Sequence, residues 1–303
     1  MRNIWIDCDP GIDDALMLAV AGANRDQLNI LGISAVAGNQ STDKVTKNAI
    51  ELSSMLNMED VPVSRGAIQP LLKDYVDAGE VHGDNGLGGI QLPETDKKET
   101  EDSAIVRMYS TIMNLKENEK ITLVSTGPMT DLALLIRTCP KALAKVEQIV
   151  LMGGCSDHGN TTPYAEYNCF ADPEAAKIVF NSNLPIVMCG LDITEKCTLH
   201  KSNLPILASC DHYQTSILAA ILDFYANCEY YKDYDSITVH DACTIIYLLK
   251  PELFSGKMVS VEVECNGEKA GQTICTEGGN VLLLNNADLT AFENYLMETL
   301  LNL

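Results

Sequence analysis

Four aspartates lie within eight residues near the start of the chain. They are Asp7, Asp9, Asp13 and Asp14, placed between an apolar stretch and a helix-like stretch. Carboxylates this close repel each other unless a cation or hydrogen-bond donors compensate them. Helix capping is the simpler role, but an acidic residue in a first turn contributes only about 0.3–1 kcal/mol. Capping accounts for one aspartate and not for four, so this segment is the strongest candidate for chemistry.

Two known uses of clustered aspartates can be compared with this pattern. An EF-hand loop needs Gly at position 6 and Glu at position 12, and counted from Asp7 those positions hold Ile12 and Leu18. The pattern therefore excludes an EF-hand. A haloacid dehalogenase-like phosphatase also begins with two alternate aspartates after a strand, but usually continues with Gly and then Thr or Val. Here Pro10 and Gly11 follow Asp9, so the phosphatase is kept only as an alternative.

Short apolar stretches alternate with helical stretches along the chain. The predicted strands cover residues 3–8, 30–36, 121–125, 149–152, 185–189, 258–265 and 281–284. The predicted helices cover residues 13–23, 42–56, 103–115, 129–138, 173–180, 213–231, 242–249 and 289–301. Strands that are apolar throughout are typical of a sheet covered on both faces. The alternation predicts one α/β domain over residues 1–303, with an open, mostly parallel sheet flanked by helices. The polar, Gly-rich residues 75–102 are predicted to form a long mobile loop.

Polar residues follow five of the predicted strands. In strand order they are Asp9, then Asn39, then Thr126, then Asn160 with Glu166 and Asn168, and finally Asp192. Ligands bind at the carboxyl ends of the strands in an open parallel sheet. The spacing therefore predicts a polar cup at one edge of the sheet.

The net charge and the cysteine spacing limit the partners and the cellular compartment that we expect for this protein. The net charge of −21 repels phosphate backbones and anionic membranes, so we expect neither nucleic acid nor membrane as a partner. No apolar stretch approaches the 20 residues of a membrane span. Eleven scattered cysteines without a Cys-x-x-Cys pair favour reduced thiols in a cytoplasmic protein. Residues 1–4 run directly into the first strand, so we also expect no signal peptide.

The segment from Asp7 to Ala15, Asp-Cys-Asp-Pro-Gly-Ile-Asp-Asp-Ala, closely resembles the N-terminal signature of the inosine–uridine-preferring nucleoside hydrolases. Further blocks match that family in order, at residues 37–40, 82–84, 126–128, 150–154, 165–168, 171–176 and 239–241. The resemblance implies hydrolysis of the N-glycosidic bond of ribonucleosides on a nucleoside hydrolase-like fold. A catalytically inactive nucleoside-binding protein on the same fold is the second alternative.

The resemblance also implies the residues of the site. It implies a Ca²⁺ ion held by the side chains of Asp9, Asp14 and Asp241 and by the carbonyl of Thr126, with Asp9 as the base that deprotonates water. The ribose would lie on Asp13, Asn39, Asn160, Glu166 and Asn168, with Met152 packed nearby. Such a site is expected to reject deoxyribose. Asp7 would support the cluster from behind.

The resemblance says less about the part of the site that would hold the nucleobase. His240 matches a histidine proposed as the acid for the leaving group, and His82 matches a histidine near the base. Tyr167 stands where relatives often have Phe. The Tyr-rich residues 223–235 offer Tyr225, Tyr231 and Tyr234 for contact with the base, although their register is open. The resemblance implies a homodimer or homotetramer, and it leaves the base open between purine, pyrimidine and a modified base.

Overall fold

The fold is described from a computed structural model, which describes residues 1–79 and 81–303. The strands are β1 (Arg2–Cys8), β2 (Leu28–Ala35), β3 (Val63–Arg65), β4 (Ile121–Ser125), β5 (Val146–Met152), β6 (Ile186–Cys189), β7 (Thr198–His200), β8 (Ser236–Thr238), β9 (Phe254–Val263), β10 (Thr273–Glu277) and β11 (Val281–Ala287). Nine of them form one sheet in the order β10-β9-β11-β6-β5-β4-β1-β2-β3, and β7 pairs with β8 separately. In the large sheet the strands are parallel from β11 to β3, and only the pairs that involve β9 are antiparallel. The predicted mixed, mostly parallel sheet is confirmed.

Helices cover both faces of this sheet. They are α1 (Ile12–Ala23), α2 (Thr42–Met55), α3 (Gly79–His82), α4 (Ala104–Asn114), α5 (Thr130–Thr138), α6 (Pro140–Leu143), α7 (Tyr167–Ala171), α8 (Pro173–Phe180), α9 (Leu191–Thr194), α10 (Leu204–Ala208), α11 (Tyr213–Asn227), α12 (Ala242–Leu249) and α13 (Leu289–Leu301), with three single 3₁₀ turns between residues 201 and 269. Ile4 and Ile6 of β1 belong to one apolar cluster and Trp5 belongs to the other. Alternate side chains of a strand point to opposite faces, so the sheet separates two cores.

Most of the predicted elements form within a few residues of their expected ends. The main difference is α11, which ends at Asn227 and not near Tyr231, because Cys228 is extended and a turn follows. Residues 75–102 contain the short helix α3 and otherwise, in their described part, no helix or strand. Among the described residues no helix is long and apolar enough to cross a membrane.

Candidate functional site

The aspartate cluster sits where β1 turns into α1. Asp9 follows the strand, and Asp13 and Asp14 occupy the first turn of the helix. Asp14 accepts a hydrogen bond from the backbone N–H of Gly11 at 3.0 Å, as a helix-capping residue does. A Cβ atom at Gly38 would lie 2.0 Å from Oδ2 of Asp9, so only glycine lets this loop approach the carboxylate so closely.

A fourth carboxylate joins the cluster from far along the chain. Asp241, which immediately precedes α12, brings a carboxylate oxygen within 4.8 Å of those of Asp13 and Asp14, and all three residues are buried. Asp9 lies beside this group. Its Oδ2 accepts the backbone N–H of Asn39 at 2.7 Å, whereas its Oδ1 is buried without a hydrogen-bond partner. The closest trio thus contains Asp13, which the resemblance assigned to the ribose.

The electrostatics of the cluster are unfavourable for the protein alone. Burial, together with repulsion from Asp14, raises the pKa of Asp9 well above its usual range. Burial and repulsion from Asp13 raise the pKa of Asp14 to about 7, and the same two causes raise the pKa of Asp241 strongly. Removing carboxylates from water costs free energy unless an opposite charge compensates them. No Lys or Arg forms an ion pair with these aspartates in the described part of the chain.

A hard divalent cation fits this arrangement. The donors are carboxylate oxygens, two of which, Oδ1 of Asp9 and Oδ1 of Asp13, are buried and unpartnered. Thr126 lies beside them, because its hydroxyl donates to Oδ1 of Asp14 at 2.7 Å. An oxygen-only donor set is the one that Ca²⁺ and Mg²⁺ prefer.

A cavity of about 370 Å³ opens next to the cluster. Of the predicted site residues, those that line it are Asp13, Asn39, His82, Thr126, Met152, Asn160, Glu166, Tyr167, Asn168, Tyr225, Tyr231, His240 and Asp241. Asp9 and Asp14 lie beneath its floor, 1% and 0% exposed. The other predicted strand-end groups therefore surround one continuous space, but Asp192 does not line it and instead accepts hydrogen bonds from Ser156. We call the part lined by the aspartates the aspartate end and the part lined by the tyrosines the tyrosine end.

Backbone contacts orient the polar side chains on the aspartate side. Glu166 caps α7 and accepts N–H groups from Asn168 at 2.8 Å, from Cys169 at 3.1 Å and from Gly154 at 2.8 Å. The side-chain nitrogen of Asn168 donates to the carbonyls of Thr126 at 2.8 Å and Met152 at 3.1 Å. The amide oxygen of Asn168 is thereby free to accept a hydrogen bond from a ligand.

The two histidines of the cavity have different environments. His82 accepts the backbone N–H of Ile12 on its Nδ1 at 3.2 Å, and burial lowers its pKa. A neutral His82 then carries its proton on Nε2, where it can donate to a ligand. His240 is half-buried, and desolvation lowers its pKa as well, but both of its nitrogens contact hydroxyls, Nδ1 that of Thr194 and Nε2 that of Thr238, each at 2.8 Å.

A chain of hydroxyls extends from His240 into the cavity wall. Thr238 is hydrogen-bonded to the hydroxyl of Tyr231, which accepts from the hydroxyl of Tyr225 at 3.3 Å. The ring of Tyr225 stacks on His82 at a centroid distance of 6.3 Å. His240 therefore lines the cavity itself and is also linked through Thr238 to Tyr231 and Tyr225.

The structure places some expected residues differently. Tyr234 is 62% exposed and does not line the cavity. The hydroxyl of Tyr167 is occupied by the carbonyls of Gly38 at 2.7 Å and Val76 at 3.0 Å, so only its ring is available there. Asp7 faces Asp131 behind the sheet edge and accepts a hydrogen bond from Ser34.

The sequence did not predict several lining residues: Val76, Asp77, Ala78, Val81, Thr161, Phe170, Glu195 and Thr238. Tyr230, which also lines the cavity, belongs to the Tyr-rich residues 223–235 from which contacts with the base are expected. Thr238 could have been found, because it stands two residues before His240 at the end of a strand. Side chains two apart on a strand share a face.

Solved structures with this architecture are nucleoside hydrolases. The plant nucleoside hydrolase PpNRh1 is similar with a TM-score of 0.91 and 30% identity, covering 99% of this chain and 98% of that chain. A purine-preferring ribonucleoside hydrolase from Gardnerella vaginalis is similar with a TM-score of 0.92 and 26% identity, with the same coverage.

The sequence model of the inosine-uridine preferring nucleoside hydrolases matches residues 4–294. The chain belongs to that family. A curated relative, the pyrimidine-specific ribonucleoside hydrolase RihA of Escherichia coli O7:K1, is 41% identical over 269 residues, which are 88% of this chain and 85% of the relative. The prediction of a nucleoside N-ribohydrolase, which splits ribonucleosides into ribose and free base, is confirmed.

Proposed function

We propose that this hydrolase acts on pyrimidine ribonucleosides and uses Ca²⁺ held by Asp9, Asp14, Asp241 and the carbonyl of Thr126. The observation that carries the proposal is the pairing of two unlike ends in one cavity. Buried, unpartnered oxygens of Asp9 and Asp13 lie at one end, and a chain of hydroxyls that leads to His240 lies at the other.

At the aspartate end the task is to activate water and to hold the sugar. When bound, Ca²⁺ orients the attacking water and the ribose hydroxyls and modestly lowers the pKa of that water. The carboxylate of Asp9, which would also hold the ion and whose Oδ1 is buried without a hydrogen-bond partner, is the base that takes the water's proton. Oδ1 of Asp13 and the amide oxygen of Asn168 accept hydrogen bonds from the ribose hydroxyls.

The sugar becomes positively charged as the glycosidic bond breaks. Glu166 is held at the cavity wall by three backbone N–H groups, so its carboxylate faces the sugar without needing to reorganise. Together with the aspartates it stabilises the developing oxocarbenium charge, which is the role of a fixed dipole or charge in a preorganised site.

At the other end the departing base needs a proton or a hydrogen-bond donor. The hydroxyl of Tyr231 and Nε2 of His82 are the donors on this side, because the hydroxyl of Tyr225 already donates to Tyr231. A proton given up by Tyr231 would be replaced through Thr238 from the imidazolium form of His240, which is left neutral. The proposal therefore assigns His240 to the supply of the proton and Tyr231 to its delivery.

Pyrimidine preference is supported by the relatives at 40–41% identity, which are named as pyrimidine-specific. The purine-preferring structure is more distant, at 26% identity.

The test is ribose release from uridine, cytidine, inosine and guanosine by the full chain at saturating Ca²⁺. We expect kcat/KM for uridine or cytidine to exceed that for inosine by at least about tenfold. Equal or higher values for inosine contradict the pyrimidine assignment. Ribose release that survives a strong chelator and dialysis contradicts the metal assignment.

Further parts of the proposal concern assembly and compartment. A homodimer or homotetramer is supported by the family resemblance, and sedimentation equilibrium at micromolar concentration tests it. A cytoplasmic location is supported by the eleven cysteines, all of them free thiols. Fractionation of the source cells tests that location.

A further inference from the structure

A second cluster of potential metal ligands lies outside the aspartate cluster. Cys155, Asp157 and His158 bring one sulfur, one carboxylate oxygen and one imidazole nitrogen within 4.8 Å of one another. The sulfur lies 3.3 Å from Nδ1 of His158 and 3.4 Å from Oδ1 of Asp157, and those two atoms are 2.7 Å apart. We propose that this cluster binds Zn²⁺ or a similar borderline-soft divalent cation.

The spacing of the three atoms is close to that of a tetrahedral zinc site. With ligand bonds of about 2.0–2.3 Å, tetrahedral geometry separates neighbouring donor atoms by about 3.3–3.6 Å. The two distances from the sulfur already agree with this range. Only the 2.7 Å distance between His158 and Asp157 must widen, by about 0.6 Å to reach about 3.3 Å, and Asp157 is on the exposed surface, where its side chain can move.

The histidine is oriented as a metal ligand is. Its other nitrogen, Nε2, contacts both carboxylate oxygens of Glu195 at 3.1 Å. Metal-ligating histidines nearly always donate their second ring N–H to a carboxylate, a carbonyl or water, which fixes the tautomer that leaves the ligand nitrogen unprotonated. Nδ1 contacts Oδ1 of Asp157 at 2.7 Å, and a bound cation would replace the proton between these two atoms.

The loop that carries these residues is anchored by the fold. The N–H of Cys155 donates to the hydroxyl of Thr273 at 2.9 Å, and the same hydroxyl donates to the carbonyl of Cys155 at 2.5 Å. The N–H of Ser156 donates to Asp192 at 3.0 Å. These contacts fix the backbone of the loop before a cation binds. Binding therefore costs little conformational entropy, and the site is preorganised.

An ion can reach this site from solvent. The side chains of His158, Asp157 and Glu195 are 43%, 77% and 40% exposed, whereas Cys155 is buried. The cysteine sulfur also distinguishes this site from the aspartate cluster; burial raises the pKa of Cys155 to about 12, so a cation would have to displace the thiol proton when it binds. Oxygen-only ligands suit Ca²⁺ or Mg²⁺, and a sulfur–nitrogen–oxygen set suits Zn²⁺ or Co²⁺.

The experiment uses Co²⁺ as a spectroscopic substitute in the full-length, reduced protein with excess Ca²⁺ to fill the aspartate cluster. We expect a thiolate-to-Co²⁺ charge-transfer band in the near ultraviolet, titrating to one ion per chain and abolished by added Zn²⁺. Aspartates cannot produce that band. Its absence, or its persistence after Zn²⁺ addition, overturns the proposal.

Variants assign the ligands. C155S should lose the band, whereas C139S, which removes a half-buried thiol elsewhere, should keep it. E195Q should keep the band but weaken Zn²⁺ binding about 10–100-fold, as expected for a residue that orients a ligand. H158Q and E195Q alter partly exposed side chains, so they remain informative if C155S fails to fold. Unchanged Zn²⁺ affinity in both means that the cluster is only a hydrogen-bonded loop, and the proposal is wrong.

Discussion

The two ends of the cavity are stabilised in opposite ways. At the aspartate end, buried carboxylates repel one another and two of their oxygens lack hydrogen-bond partners. The side chains described around them therefore do not neutralise their negative charge. At the tyrosine end, Tyr225, Tyr231, Thr238 and His240 satisfy one another in a chain. In the proposed function, the first end receives a cation and the charge that develops on the sugar, and the second moves a proton. Changes to the sugar and metal should therefore cost more than changes to the base contacts.

The largest expected effect comes from the substrate. Removing the ribose 2′-hydroxyl leaves buried polar groups such as Oδ1 of Asp13 unpaired, so we expect kcat/KM for deoxyuridine to be about 10⁴-fold below that for uridine. Parallel assays of ribose and deoxyribose release measure the ratio. A ratio below tenfold would mean that the aspartate end does not recognise the 2′-hydroxyl of the ribose.

Removing one carboxylate of the cluster should have the next largest effect. Asp14→Asn keeps the shape and its hydrogen bond from Gly11 but removes a charge, and we expect kcat to fall about 10³-fold with a weaker response to Ca²⁺. Asp26→Asn, on the exposed turn after α1, is the matched control. Equal activity of the two variants would remove Asp14 from the metal site.

At the tyrosine end the expected loss is smaller. Tyr231→Phe interrupts the chain between Tyr225 and Thr238 while keeping the ring, so we expect kcat to fall about 10–100-fold with KM little changed. Tyr234→Phe, outside the cavity, should retain activity. The p-nitrophenolate released from p-nitrophenyl riboside is a good leaving group and needs no proton. Tyr231→Phe should therefore hydrolyse this substrate almost as fast as the unaltered protein does. A comparable loss on both substrates would indicate a structural role for Tyr231.

The smallest effect is on stability. The folded pKa of Asp14 is raised from its ordinary value of 3.8 to about 7, so its contribution to stability is present below pH 4 and is lost as the pH rises to about 7. Without Ca²⁺ we expect the melting temperature to fall by about 5 °C across this range. Saturating Ca²⁺ should remove much of this slope, and Asp14→Asn should flatten it without metal. Calorimetry at fixed ionic strength measures both.

The sequence predicted the parallel sheet well because its strands are apolar throughout and its helices are amphipathic. The short strands β3, β7 and β8, with three residues each, were missed because such lengths carry no periodicity. The aspartate end was foreseeable since three of its four aspartates, Asp9, Asp13 and Asp14, lie within six residues of sequence. The end of α11 was not, because residues 228–235 continue a helix-compatible composition and only their packing directs Tyr231 inward and Tyr234 outward.

The long sequence separation within the aspartate cluster affects how the protein is made. Asp241 is 227 positions after Asp14, and at about 5–20 residues per second the ribosome needs roughly 10–45 s to add that stretch. During this time the emerging N-terminal part carries its acidic residues without their last partner. The aspartate cluster can therefore be completed only after translation has passed Asp241, immediately before α12.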